Sequence, residues 1–193
     1  MPGGRRFTAT LLLGGLVAGG LLTSCTDDPD PGPSPPPSSA ASPTPSPTRT
    51  LKPPTPPRPK RTPANAEAFV RYFWASYNYA YATLDASAIK RISEAECRFC
   101  RSLVQQVEGL REERARTEGM RVRVRFVAAP PMEKPRRIAV VTVIDQDSGK
   151  VIRADGTEQL ADGADKTKSL AGLHWKNGSW HVYGISLDKD DDQ

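Results

Sequence analysis

The longest hydrophobic pattern of the chain follows residue 63 and has helical spacing. Apolar and aromatic side chains recur every three or four positions, which predicts a long helix with an unusually wide buried face. The residues on this face are Phe69, Phe73, Tyr77, Tyr81 and Leu84. We expect the first four to line a cavity between this helix and a sheet, unless they simply fill it.

Two further helices are predicted before residue 120. Asp85 is placed to cap a short helix over residues 86–92. Ser93 and Glu96 have the spacing of a capping box, which predicts the start of a third helix. Gly119 predicts the end of that helix. Its apolar stripe consists of Phe99, Leu103, Val107 and Leu110.

From residue 120 onward the pattern changes to that of strands. Residues 120–126 alternate between apolar side chains and arginines, and residues 137–144 are apolar on both faces, as in a central strand. A turn at Ser148-Gly149 leads into a strand over 150–153, and residues 155–165 are predicted to form a loop. The fold class is therefore α+β, with three N-terminal helices packed on a curved antiparallel sheet of four to five strands.

The last two strands, residues 168–175 and 180–187, are predicted to form a hairpin at Asn177-Gly178, the strongest short hairpin signal. A two-residue turn places Trp175 opposite Trp180. This pair is expected to pack, with a flat aromatic platform for a sugar or lipid as the alternative. The same register places His174 opposite His181. Two imidazoles could hold a metal or act as a pH switch, but no third ligand is fixed, so no metal or cofactor is expected.

The first residues of the chain have the pattern of a lipoprotein signal. Arg5 and Arg6 precede an apolar stretch over residues 9–22 that is too short, and too interrupted by glycine, to predict a membrane-spanning helix. The stretch ends in Leu-Thr-Ser-Cys, the lipobox pattern, so we predict cleavage after residue 24 and acylation (palmitate) of Cys25. An ordinary secretory signal or an uncleaved anchor are the alternatives. Stable anchoring through lipid would place the protein on the extracytoplasmic face of the cell membrane.

Residues 25–63 are predicted to form a disordered linker. Residues 26–63 contain 15 of the chain's 19 prolines and 11 Ser or Thr, too little apolar surface to form a core. A plain spacer is expected, with a wall-binding or glycosylated segment as the alternative. The linker is followed by one domain over residues 64–188 and an acidic tail over 189–193.

The charge balance restricts the class of partner. The whole chain has a net charge of +5, but residues 64–193 carry 20 basic and 19 acidic side chains. A near-neutral domain lacks the basic footprint of a nucleic-acid-binding protein, so no nucleic acid is expected. Arg121, Arg123 and Arg125 form a row that could contact anionic cell-wall polymer, although such a row is usually a solvated face. Membrane lipid and a wall polymer or envelope protein remain the expected partners.

Cys97 and Cys100 are the two thiols left once Cys25 is acylated. Outside the reducing cytosol a disulfide is the default, so a structural disulfide is predicted. A redox-active pair is the alternative, because the first turn of a helix lowers the pKa of a thiol. A zinc site would need two further ligands, and the sequence has no second cysteine pair.

Three segments resemble one family of proteins. They are AEAFVRYFW at residues 66–74, YAYA at 79–82 and CRFC at 97–100. They are similar to an uncharacterised family of actinobacterial lipoproteins, domain-of-unknown-function family 6318. The order of elements also resembles the cone-shaped fold shared by nuclear transport factor 2, ketosteroid isomerase and polyketide cyclases. The family has no assigned activity, so the resemblance implies no catalytic residues.

The sequence as a whole predicts a membrane-anchored module at the cell envelope that binds a ligand or partner and is not an enzyme. An isomerase or hydratase that uses the cone cavity is one alternative, because this fold hosts both enzymes and binding modules. A thiol-redox lipoprotein that uses Cys97 and Cys100 is the other alternative.

Overall fold

The computed structural model describes residues 51–132 and 136–188, apart from the side chain of Asp165. The predicted signal peptide, Cys25, the linker up to residue 50 and the acidic tail lie outside the described residues. The helices are α1 Pro63–Thr83, α2 Ser87–Ile92 and α3 Arg98–Glu112. The strands are β1 Arg116–Glu118, β2 Val122–Ala128, β3 Arg137–Gln146, β4 Gly149–Ile152, β5 Glu158–Ala161, β6 Ala164–Lys176 and β7 Ser179–Asp188. Within residues 51–132 and 136–188, no helix has the length and hydropathy of a bilayer-spanning segment.

Helix α1 begins and ends with specific backbone signals. Thr62 is the N-cap, and its Oγ1 accepts a hydrogen bond from the Asn65 amide at 3.3 Å. Pro63 follows at the first helical position, where its missing N–H costs nothing. The helix ends before Leu84, whose φ of 55° is left-handed. The predicted first helix is therefore present, and its start is fixed by the end of the proline-rich segment.

Helix α3 begins at a different residue from the one predicted. The N-cap is Cys97, and its Sγ accepts a hydrogen bond from the Cys100 amide at 3.2 Å. The predicted capping box of Ser93 and Glu96 is wrong, because Ser93 forms a parallel bridge with Val182 and the chain there is extended. Helix α3 also ends at Glu112, before the predicted Gly119, because the chain turns at Arg114 (φ 52°) into strand β1.

The strands form two antiparallel sheets rather than one curved sheet of four to five strands. The larger sheet has the order β2-β3-β6-β7, and the smaller has the order β1-β4-β5. The predicted loop over residues 155–165 contains β5 and the start of β6. A Cβ on Gly149 would lie 2.5 Å from the Glu118 carbonyl oxygen, so glycine permits the close approach of β4 to β1. The coarse prediction of an α+β fold is confirmed.

The alternation predicted along β2 is interrupted by a bulge. The register with β3 shifts between Val124 and Phe126, so Arg125 and Phe126 are both exposed. Phe126 is 52% exposed, although strict alternation predicts a buried position. The main core lies between the helices and the inner face of the larger sheet. Its residues there include Leu103, Val107, Ile138, Val140, Leu173 and Val182.

Candidate functional site

Cys97 and Cys100 form a disulfide bond, as predicted. Both residues are buried, with exposed fractions of 0% and 1%. A thiolate must reach a sulfur atom to exchange with a disulfide, so burial opposes the redox alternative. The bond closes the first turn of α3 and packs into the core beside Phe99.

The four rings predicted to line a cavity are packed against other rings. Phe73 contacts Trp74 at a centroid distance of 5.3 Å, and Tyr77 contacts Tyr81 at 4.9 Å. Phe69 and Tyr81 are buried, and Tyr77 is half-buried. These contacts favour the alternative that the rings fill the space below α1.

The two tyrosine hydroxyls of this cluster are held in the neutral form. Burial is the main cause that raises the pKa of Tyr77, and the neighbouring Tyr81 raises it further. Burial also raises the pKa of Tyr81, against a smaller lowering by its hydrogen bond with Tyr77. The Tyr81 hydroxyl donates to Gln106 Oε1 at 2.7 Å. Neither phenol is therefore prepared to act as a proton acceptor near neutral pH.

The end of the predicted linker lies against the domain. Residues 54–60, which we call the strap, run beside α1 and the start of β7. The strap and the domain enclose a groove of about 260 Å³, which we call the strap groove. Its walls are Pro56, Pro57 and Pro59 of the strap, and Phe69, Tyr72, Ile92 and Trp180 of the domain, with Asn65, Arg91, Ser179 and His181 at polar positions. Phe69 is thus both a core residue and part of this site.

Three hydrogen bonds fix the backbone of the strap. The Trp180 indole Nε1 donates to the Lys60 carbonyl oxygen at 3.0 Å. Asn65 uses both ends of its amide: its Oδ1 accepts from the Lys60 amide at 2.9 Å, and its Nδ2 donates to the Arg58 carbonyl at 2.9 Å. Side chains of the domain therefore bind main-chain groups of the strap.

The charges around the strap groove are few. His181 Nε2 lies 3.0 Å from Ser179 Oγ. Burial lowers the pKa of His181, and the positive charge of Lys176 lowers it further, against a smaller raising by Glu94. His181 is therefore neutral at pH 7. Among the residues that line the strap groove, Arg91 is the one that carries a charge.

The predicted hairpin register is confirmed, with Trp175 opposite Trp180 and His174 opposite His181. The two tryptophan rings meet edge to face, with centroids 5.0 Å apart and an interplanar angle of 75°. Trp180 is buried. This arrangement packs the rings together and does not present a flat platform.

The two histidines make separate contacts. His174 Nδ1 lies 3.1 Å from Glu94 Oε1, whereas His181 contacts Ser179. Among residues 51–132 and 136–188 there is no group of three or more His, Cys, Asp or Glu side chains placed to hold a metal ion.

Glu94 joins the loop before α3 to the final hairpin. Lys176 Nζ lies 2.9 Å from Glu94 Oε1, and the carboxylate side chain is only 10% exposed. Burial acts to raise the pKa of Glu94, but the hydrogen bond and charge of Lys176, together with His174, outweigh it and lower the pKa. Glu94 is therefore an ionised structural contact. It also borders a second cleft of about 410 Å³ between α2 and α3.

Replacing Glu94 with glutamine is expected to lower the free energy of unfolding by about 1–3 kcal/mol at neutral pH. The pKa of Glu94 in the folded protein lies below the ordinary value of 4.5. The stabilisation by its charge is therefore present above pH 4.5 and is lost as the pH falls through the folded-state pKa. The difference between wild type and variant should therefore shrink in acid. Urea unfolding at neutral and acid pH measures it. Glu158→Gln, at the exposed pair with Lys150, is the control and should change stability little. An equal loss at both pH values would contradict the role of the charge.

The row of arginines that begins just before β2 and continues along it is partly neutralised. Arg123 pairs with Asp147, and Arg125 pairs with Asp145. The pKa of Asp145 is lowered first by the hydrogen bond from the Lys166 amide and then by Arg125. Two of the three arginines are thus engaged within the protein, which weakens the case for a contact with wall polymer.

The sequence pattern does not predict the strap groove. It indicates a linker over residues 25–63 and no part for Asn65 or Tyr72 in a binding site. A signal was nevertheless present, because Pro54 and Pro57 are three residues apart, which is one turn of a polyproline II helix. Asn65 carried no signal, since its partners are main-chain groups of Arg58 and Lys60, which any residue type would present.

Comparison with known protein families gives a match that covers most of the chain. Residues 40–186 match the family described as "Family of unknown function (DUF6318)". The match begins within the predicted linker and therefore includes the strap. No curated protein matches the chain.

Several solved structures are similar at low identity. The intermembrane space region of chloroplast protein ARC6 is 9% identical, with a TM-score of 0.48, over 67% of this chain and 98% of that chain. Aln2 from a Streptomyces species is 12% identical, with a TM-score of 0.43, over 66% of this chain and 91% of that chain. These likenesses are too weak to carry an argument about activity. The match over residues 40–186 does identify the family: the chain belongs to DUF6318, a family of unknown function.

Proposed function

We propose that this protein is a lipid-anchored module on the extracytoplasmic face of the cell membrane, and that its domain binds a ligand or partner without catalysis. The observation that carries the proposal is the buried Cys97–Cys100 disulfide, because such bonds persist in oxidising compartments and are rare in the cytosol. The lipobox before Cys25 supports the same location from the other end of the chain.

The strap groove is the proposed binding site. Ligand sites are mostly apolar concavities with a few placed polar groups. The groove has this character, since its wall combines Phe69, Tyr72 and Trp180 with the amide of Asn65. Membrane lipid bound through acylated Cys25 is the other proposed partner, and a cell-wall polymer or an envelope protein is the proposed class of target.

We propose further that the fold is a cone like that of nuclear transport factor 2. A cone like that of nuclear transport factor 2 encloses a space between helices and a curved sheet. The packing of α1 against β2 and β3 supports such an arrangement, with the space filled by aromatic rings. The fold itself specifies no chemistry.

The enzyme alternative finds less support. An isomerase or hydratase needs a carboxylate or similar group that is free to accept a proton. The buried or nearly buried carboxylates Glu94 and Asp145 are both ion-paired, and their pKa values are lowered rather than raised. Such carboxylates are weak bases.

Cys25→Ala is the variant that tests the anchor. We expect it to lose incorporation of a labelled fatty acid, and to be released from membranes or to keep its signal peptide, because the thiol is the site of acylation. Fractionation, acyl labelling and intact mass measure the result. Ser38→Ala, a change of similar size in the linker, is the matched control and should remain acylated and membrane-bound. Normal acylation of Cys25→Ala would overturn the lipoprotein proposal.

A further inference from the structure

The domain holds the strap by hydrogen bonds to the strap's main-chain atoms, which any extended segment would present. The bond from Trp180 reaches a carbonyl oxygen, and the two bonds of Asn65 reach one amide and one carbonyl. The side chains of Arg58 and Lys60 extend from the same stretch and are exposed. The contacts that hold the strap therefore depend on its backbone conformation and on its prolines, and not on its charges.

Two prolines of the strap, three residues apart, are partly buried. Pro54 and Pro57 are half-buried, whereas Thr55, Pro56 and Arg58 are exposed. Three residues per turn is the repeat of a polyproline II helix, which leaves its carbonyl groups free to accept hydrogen bonds. Aromatic-lined grooves recognise such helices because they are preformed and lose little entropy on binding.

We propose that the domain side of the strap groove is a polyproline-binding surface, and that the strap, which forms the opposite wall, is its resident ligand. The inference rests on the proposed function, which makes the groove a binding site, and it deepens that function by naming the ligand class as an extended proline-rich segment. Phe69, Tyr72 and Trp180 supply the aromatic surface, and Asn65 together with the indole N–H of Trp180 supplies the polar contacts.

The resident ligand has a large advantage over any free peptide. Only Arg61 and Thr62 separate the strap from the first residue of α1. Tethering through so short a segment gives an effective concentration on the order of millimolar or higher. Wild-type protein should therefore bind added peptide weakly, and a variant with a loosened strap should bind it well.

The experiment uses the full chain in detergent micelles and a fluorescent peptide with the sequence of residues 51–61. In the loosened-strap variant, serine replaces Pro54, Pro57 and Pro59. In the matched control, serine replaces Pro35, Pro36 and Pro37 of the linker. We expect fluorescence anisotropy to show roughly tenfold or more tighter binding to the loosened-strap variant than to wild type or control. Binding should change little between low and high salt, because it does not depend on charge.

Two further comparisons show whether the peptide occupies the groove. A peptide in which alanine replaces the five prolines of residues 51–61 should bind clearly more weakly. Adding Asn65→Ala to the loosened-strap variant should weaken binding of the proline peptide by about fivefold or more, the effect of at least one lost hydrogen bond. This substitution removes the two side-chain hydrogen bonds to the strap. It keeps the backbone N–H of residue 65, which donates to the N-cap Thr62.

The proposal is overturned if the folded loosened-strap variant does not bind the proline peptide, or binds no tighter than wild type. Equal binding of the alanine peptide, or an unchanged affinity after Asn65→Ala, would overturn it as well. Such failures would leave the proposed function open to its own tests. Native mass spectrometry of the same protein after exposure to an envelope extract would still detect another ligand, and the Cys25→Ala experiment tests the anchor separately.

Discussion

Replacing Phe73 with alanine is expected to lower the free energy of unfolding by about 3–5 kcal/mol. Phe73 has no exposed surface, and its ring lies 5.3 Å from Trp74 and 6.4 Å from Phe99, measured between centroids. Removing the ring takes away its burial energy and leaves a cavity among side chains that cannot fully collapse. Urea or thermal unfolding of the variant and the wild type measures the loss.

Phe126→Ala is the matched control for this prediction. It removes the same side chain from the bulge of β2, where the ring is 52% exposed, so the loss should be much smaller. If Phe73→Ala were no more destabilising than Phe126→Ala, the rings below α1 would line an open cavity instead of filling it.

Removing the disulfide is expected to lower the free energy of unfolding by about 2 kcal/mol, the chain-entropy value for so short a loop. The double variant Cys97→Ser and Cys100→Ser tests this value. Serine at position 97 retains an oxygen that can cap α3, so the loss should report on the cross-link and on the two buried sulfurs rather than on the cap. Chemical unfolding with and without reductant measures it.

The reductant supplies the control for the disulfide. Wild-type protein should lose a similar stability when it is reduced, whereas the double variant should not respond. In the absence of reductant, an alkylating reagent should label neither Cys97 nor Cys100 of the folded wild type. Ready labelling of both residues would show that the pair is open and would restore the redox hypothesis.

The features that sequence predicted well are those set by local chemistry. Asn177-Gly178 fixes a two-residue turn, because Asn177 and Gly178 both have positive φ, and that turn dictates the whole register from Trp175 to His181. The cysteine pair is likewise local, since two thiols three residues apart can meet within one helical turn. Such signals do not depend on the rest of the fold.

The features that sequence missed depend on distant partners. Ser93 has a good local reason to cap a helix, but its contact with Val182 keeps the chain extended there. The alternation of residues 120–126 predicts one continuous strand, but a bulge at Arg125 changes which face Phe126 occupies. The strap groove depends on distant partners in the same way, because Asn65 and Trp180 come from opposite ends of the domain and both contact the backbone of Lys60.

The strap also changes how a mechanical load would reach the domain. In a chain tethered at Cys25, as proposed, tension from the membrane acts on the strap before it acts on the N-cap of α1 at Thr62. The three hydrogen bonds at Arg58 and Lys60 would then break before the helix is loaded. Release of residues 54–60 would lengthen the tether by up to about 20 Å at the rise of a polyproline helix. The strap would thus act as an extensible joint, which lets the domain move away from the membrane surface while its core stays folded.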